Sequence, residues 1–153
     1  MRKIPVLLLF FVITSCFNQA NCLITSTNLV KINLKKLTDS SVATVTFNSV
    51  TVPGTSLTFY NNVAATALNL PVDPAATATT FLFSYKETVN GVVTNKSSTL
   101  TLGYANESRI ISEDCGAFQY HVDLSIMSTD FTKTKLINRS LLTTVTSNLE
   151  IYF

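Results

Sequence analysis

The sequence predicts an all-β domain, an antiparallel β-sandwich of about eight strands, with a small β-barrel as the alternative. Three observations predict it. Apolar residues recur at every second position through Thr- and Val-rich segments, the pattern of half-buried strands. Turn signals recur about every ten residues, and no segment of helical length carries an apolar period near 3.6. Short strands at that spacing, with no helices between them, pack as a sandwich or close as a barrel.

The first element is not a strand. Met1-Arg2-Lys3 is a short positive segment, followed by a mostly apolar run over residues 4–13. A run of about ten residues is too short for a bilayer-spanning helix, which takes about 20. Small residues, Thr14 and Ser15, then stand before Cys16. Charge, length and boundary match a secretory signal rather than a core strand or a signal anchor. Residues 1–15 are therefore read as a removable leader, with Cys16 as the lipid-bearing N-terminus. Residues 16–27, polar and irregular, are read as a short tether, and residues 28–153 as one domain.

Within that domain Val30, Ile32 and Leu34 alternate with Lys31, Asn33 and Lys35 as a first strand. Ala43, Val45 and Phe47 form a second. Pro53-Gly54 is a turn, and residues 57–60 a third strand. Leu68, Leu70 and Val72 mark a fourth, placed at a sheet edge by Pro71. Phe81, Phe83 and Tyr85 lead to Asn90-Gly91, a strong hairpin signal. The return starts at Val92-Val93 and carries Leu100, Leu102 and Tyr104 in its far half. Residues 109–112 form a short strand before Cys115-Gly116. Phe118, Tyr120, Val122, Leu124 and Ile126 alternate without a break. Residues 130–139 read as a connection, and Leu149, Ile151 and Phe153 as the last strand.

Charge excludes some partners. Losing Arg2 and Lys3 with the leader takes the eleven basic side chains to nine, equal to the nine acidic ones. A neutral chain without a basic stripe does not neutralise a phosphate backbone, so nucleic acid is not an expected partner. Nor is there a polybasic cluster for anionic lipid.

The mature chain has three cysteines, Cys16, Cys22 and Cys115. Lipidation of Cys16 accounts for one, leaving Cys22 and Cys115 as a disulfide pair in an oxidising compartment, or as two separate thiols. In the chain-entropy view, closing a loop of that length gives about 4–5 kcal/mol. His121 is the one histidine, too little with these thiols for a zinc site, so no metal and no cofactor are expected.

Catalytic readings are weak. His121, Asp123 and Ser125 fall on one face of an ideal strand, but neighbours there sit about 6.5–7 Å apart and point outward, whereas a triad needs contacts near 3 Å. No catalytic residue is assigned, and the trio reads as a solvated strand face continued by Gln119. Glu113-Asp114 reads as a turn rather than a calcium loop. Among the tyrosines, alternation turns Tyr152 away from Leu149, Ile151 and Phe153, which makes it the expected exposed aromatic and interface candidate.

Three segments together carry a resemblance: Ile13-Thr14-Ser15-Cys16, Ile110-Ile111-Ser112-Glu113-Asp114-Cys115-Gly116, and Asn148-Leu149-Glu150-Ile151-Tyr152-Phe153. The chain resembles a family of small uncharacterised lipoproteins of Bacteroidota, over its whole length, with Leu149 where Ile is usual. The resemblance implies that Cys16 is the lipid anchor and that Cys22 and Cys115 are the family's remaining cysteine pair. It implies no activity. Phe17 is not the Asp of an inner-membrane retention signal, and no acidic residues follow Cys16 directly. The expected address is therefore the outer membrane, facing the periplasm. The expected role is non-enzymatic: an accessory or scaffold subunit held in the membrane by lipid and docked on an outer-membrane β-barrel protein. A module binding a small ligand or glycan is the alternative, and it requires a cavity.

Overall fold

The computed structural model describes Cys22, residues 24–89 and residues 91–153. The leader, Cys16, most of the tether and Asn90 lie outside the described residues. Among the described residues there are ten strands: β1 (Leu29–Lys35), β2 (Val45–Thr51), β3 (Thr58–Phe59), β4 (Val63–Ala65), β5 (Ala67–Pro71), β6 (Ala78–Val89), β7 (Val92–Ser112), β8 (Gly116–Thr129), β9 (Lys133–Leu136) and β10 (Leu149–Tyr152). They form two open sheets. One runs β5-β1-β10-β9; the other runs β3-β2-β6-β7-β8, with β4 also on β2. The fold is a sandwich, and the barrel alternative is set aside because neither sheet closes on itself.

The chain visits the sheets in turn. β1 lies in the smaller sheet, β2 to β4 in the larger, β5 in the smaller, β6 to β8 in the larger, and β9 and β10 in the smaller. The β1–β10 pair is parallel, with Ile32 opposite Leu149 and Leu34 opposite Ile151. The other ladders are antiparallel. Pro71 lies on β5 at the edge of its sheet, where its missing N–H costs no ladder bond.

Alternation explains the core. Val30, Ile32 and Leu34 face inward from β1, Leu68 and Leu70 from β5, and Leu149 and Ile151 from β10. Facing them, Phe47, Phe81, Phe83, Leu100 and Leu102 are fully buried. One end of the sandwich is filled by rings: Phe83 against Phe131 at 5.2 Å, Tyr85 against Phe153 at 5.0 Å, and Phe131 against Phe153 at 5.3 Å, all tilted edge to face. This geometry sets a positive ring edge on a negative ring face. Phe131 comes from the segment expected to be only a connection, which also contains β9.

Two strands expected separately are continuous. The two short segments at residues 92–104 and 109–112 are one 21-residue strand, β7. Its first part pairs with β6 and its second with β8, the two ladders overlapping only at residues 100–103. Hairpins therefore project from both ends of the larger sheet. Gly91, at φ +79°, supplies the left-handed residue of the β6–β7 turn.

Bulges re-phase three strands. Asn48 is an extra residue in β2, so the buried positions step from Phe47 to Val50. In β8 the register slips once near Met127 and again between Val122 and Ser125, where Asp123 takes φ +54°. In β7 it slips at Ile111.

Because Phe47 is fully enclosed and touches four other rings, Phe47→Ala should cost about 3–5 kcal/mol of unfolding free energy. Leu82→Ala, on the outer face of the neighbouring strand, should stay within about 0.5 kcal/mol. Urea titration of both variants checks this; equal losses would contradict the assigned faces of β2 and β6.

Candidate functional site

The described cysteines are bonded: Cys22 and Cys115 form a disulfide with Cα atoms 5.7 Å apart, inside the usual range. Cys115 sits in the turn at the tip of the β7–β8 hairpin, with its N–H donating to Ser112 Oγ at 3.1 Å. Glu113 and Asp114 form the rest of that exposed turn. Among the described residues, no group of three His, Cys, Asp or Glu side chains is close enough to hold a metal.

The later part of the expected tether is not loose. Ser26 bridges Leu142, Thr27 N–H donates to Leu141 O, and Thr143 N–H donates to Thr25 O. Ser26 Oγ also donates to the Gln119 carbonyl at 2.7 Å. The segment before β1 is thus stitched along residues 141–143 and pinned to the hairpin tip by sulfur.

His121, Asp123 and Ser125 do not share a face. His121 lies opposite Asn106, on the side of β7 that carries Leu102 and Tyr104; Ser125 lies opposite Gly103, on the other side. The bulge at Asp123 makes this switch. The expectation of a solvated histidine is corrected: His121 is 4% exposed. Its Nδ1 is 2.7 Å from Asn106 Oδ1, and its ring meets Tyr104 edge-on at 5.8 Å. Asn106 Nδ2 donates to the carbonyls of Pro74 and Ala76, which leaves its oxygen to accept. Neutral His121 therefore carries its proton on Nδ1. Ser125 Oγ donates to Gly103 O instead, so the structure does not bring Ser125 to the histidine as a nucleophile.

These residues clamp a loop. Tyr104 Oη donates to Asp73 O at 2.6 Å, Thr79 Oγ1 donates to Tyr104 Oη at 2.8 Å, and Asp73 N–H donates to Thr79 Oγ1 at 2.9 Å. Gln119 Nε2 adds a bond to Pro74 O. The closed ring of donors leaves the buried Tyr104 hydroxyl satisfied, and burial raises its pKa. The arrangement holds residues 73–77 over the β7–β8 ribbon and offers no free acid or base.

Tyr152 does point away from Leu149 and Ile151, but its expected exposure is corrected: it is 6% exposed. Lys133 Nζ lies 4.1 Å above its ring, and its hydroxyl donates to Glu150 Oε2 at 2.9 Å. The apolar stem of a lysine covers an outer-face aromatic efficiently. Tyr152 is enclosed within its own sheet surface, and that burial leaves little of the ring for an interface.

Asn148 was missed by sequence reading. It is 1% exposed, accepts from Lys31 N–H at 3.0 Å, and donates to the carbonyls of Asn138 and Ser140. Its only sequence signal is a polar residue one place before the last apolar alternation.

Clefts among the described residues include two of note. One, about 370 Å³, is lined mainly by apolar atoms of Val52, Leu57, Pro71, Val72 and Pro74. The other, about 480 Å³, lies where Lys36, Thr46, Tyr85, Lys86 and Phe153 meet below the β6–β7 hairpin.

Burial holds the His121 imidazole below its ordinary value of 6.5, because the charged form would lose hydration. The unfolded chain then takes up this proton at higher pH than the fold does. Stability is therefore full above about pH 6.5 and falls as pH drops from there to the folded-state value. Asp39 and Asp130, held below 3.8 by hydrogen bonds from Ser41 and Thr99, lose their contributions only at lower pH. Urea midpoints should fall from about pH 7 to about pH 5 in the native chain and change much less in His121→Gln. A native profile as flat as the variant's would refute the buried neutral imidazole.

Comparison with curated proteins and with solved structures returns no match to either. A model of a family of unknown function, DUF6452, matches residues 41–153, well over half of the chain. The matched region begins after β1, although β1 lies at the centre of the smaller sheet. The chain belongs to this family of unknown function, DUF6452.

Proposed function

We propose that this chain is a non-catalytic, lipid-anchored envelope protein of the Bacteroidota type, an accessory or scaffold subunit facing the periplasm from the outer membrane. On this reading Cys16 carries the lipid, and the protein works by docking on a partner, an outer-membrane β-barrel protein. The pairing of Cys22 with Cys115 supports an oxidising compartment. The leader-like composition of residues 1–15 supports export. Two or three acyl chains, at about 0.8 kcal/mol per buried methylene, would hold such a protein stably.

The observation that carries the docking role is the bare edge of β7. Residues 92–98 pair with β6 on one side, and among the described residues no strand lies on the other, because β8 pairs only from Leu100 onward. The same stretch exposes Val92 at 62% and Val93 at 60%. Unpaired backbone groups beside apolar side chains invite a strand from another protein, with the backbone supplying affinity and the side chains selectivity.

The second reading, a ligand-binding module, is favoured by one feature alone. The 370 Å³ cleft falls within the size range of small-molecule sites.

The two readings separate experimentally. Val92→Lys/Val93→Lys places charge on the bare edge, a device that blocks strand addition. Both sites are exposed, so stability should change by less than about 0.5 kcal/mol per site. Crosslinking in intact cells, followed by mass spectrometry, should recover one reproducible β-barrel partner with the native chain and lose most of it with the double variant. Recovery that does not differ between native and variant would remove the edge from the proposal.

A further inference from the structure

The tip of the β7–β8 hairpin combines three features that the docking proposal leaves unused. Ile110 is 81% exposed and Ile111 37% exposed, near the end of the two-stranded β7–β8 ribbon. The turn beside them holds Cys115, bonded to Cys22. Cys22 lies six residues after Cys16 in the sequence. At most about 3.6 Å per residue, those six residues reach no farther than about 22 Å. Without the disulfide, the anchor would be leashed only where Thr25 and Ser26 dock. With it, the leash ends at the hairpin tip.

We infer that the β7–β8 hairpin tip rests on the bilayer surface that holds the lipid anchor, with Ile110 and Ile111 at the boundary between headgroups and acyl chains. This inference rests on the reading of Cys16 as acylated. The tip is a poor membrane binder by itself, with two apolar side chains beside the carboxylates of Glu113 and Asp114. Tethering changes that, because a contact made within one molecule is set by effective concentration rather than bulk affinity. The two carboxylates limit the depth: they stay among headgroups while the isoleucines reach the interface. Arg109 does not counter them, since its guanidinium is paired with Glu107 at 2.7 Å. The partner is therefore a lipid surface met through apolar contact, not through charge.

The orientation of the molecule follows. β7 spans 21 residues from Val92 to Ser112. At about 3.3 Å per residue, its far end would stand up to roughly 65 Å from the tip. The bare edge at residues 92–98 then faces away from the membrane.

The chain contains no tryptophan, so one introduced indole reports its own surroundings. Ile110→Trp and, as the distal control, Val92→Trp are made in the full chain, purified with its lipid and reconstituted into phosphatidylethanolamine–phosphatidylglycerol vesicles. Emission from the Ile110→Trp protein should move to shorter wavelength and be quenched by brominated lipid, while that of the Val92→Trp protein should stay unshifted and unquenched. Intact mass is recorded on the same samples. If both variants are acylated and the tip indole behaves like the distal one, the tip contact is overturned and the anchor stands, and the exposed isoleucines would be assigned to a protein partner instead. A product without lipid on Cys16 overturns the anchor and the tip contact together.

Discussion

The parallel pairing of β1 with β10 is the constraint on which the rest of the structure depends. It joins the first strand to the last, so it forms only when nearly the whole domain is in place. Both strands are interior: β1 has β5 on its other side, and β10 has β9. Every core residue of the smaller sheet is therefore positioned by this contact. Closing so long a loop costs entropy, which must be recovered by burial of Val30, Ile32, Leu34, Leu149 and Ile151. Asn148 directs the register. Its backbone N–H donates to Lys31 O, and its side chain accepts from Lys31 N–H while holding two carbonyls of the 138–140 loop. A shift of one residue would strand these buried groups and turn Leu149 and Ile151 outward. Homologous matching begins only at residue 41, yet the matched strands cannot complete their smaller sheet without β1.

How much of this was legible depended on whether alternation kept phase with pairing. β1 and β6 show burial at alternate residues, and the inward sets of β1, β6 and β10 follow correctly from period two alone, although Tyr152 on the outer face of β10 is buried as well. β2 carried a readable clue that alternation stopping at Asn48 overlooks. Its apolar residues pass from odd positions, Val45 and Phe47, to even ones, Val50 and Val52. A change of phase within a strand is the signature of one extra residue, and Asn48 is that residue.

β8 shows the opposite case. Phe118, Tyr120, Val122, Leu124 and Ile126 keep one phase through the sequence, but two bulges break the phase of the backbone. Before the Asp123 bulge the inward position belongs to His121. Tyr120 is on the outer face and is buried there by other means: Arg109 lies 4.8 Å above its ring, and Thr25 reaches its hydroxyl. An apolar side chain covered by local partners looks in sequence like one covered by the core. Tyr152 under Lys133 is the same physics. Composition and periodicity record that a residue is apolar; they do not record which neighbour covers it. The cysteine pair was accessible for a different reason, since counting thiols needs no geometry.

The two ends of β7 are supported unequally. At the β8 end a disulfide, the Ser26 bond to the Gln119 carbonyl and the Tyr104–Asn106–Gln119 clamp all act on one ribbon. At the β6 end residues 92–97 are exposed throughout. Beyond its ladder that ribbon has Asn48 donating to Asn95 and a Glu87–Lys96 pair at 3.7 Å. Such a pair, open to solvent, contributes at most about 1 kcal/mol. A two-stranded ribbon is marginal in water, and a third strand with an apolar face is what stabilises one. The fold therefore concentrates its covalent and polar reinforcement on the end that carries the Cys22–Cys115 disulfide, and among the described residues the opposite end of β7 has a strand on one side alone. In the proposed docking role, a strand from another protein laid against residues 92–98 would cover Val92 or Val93 and give the ribbon the third strand that it lacks among the described residues.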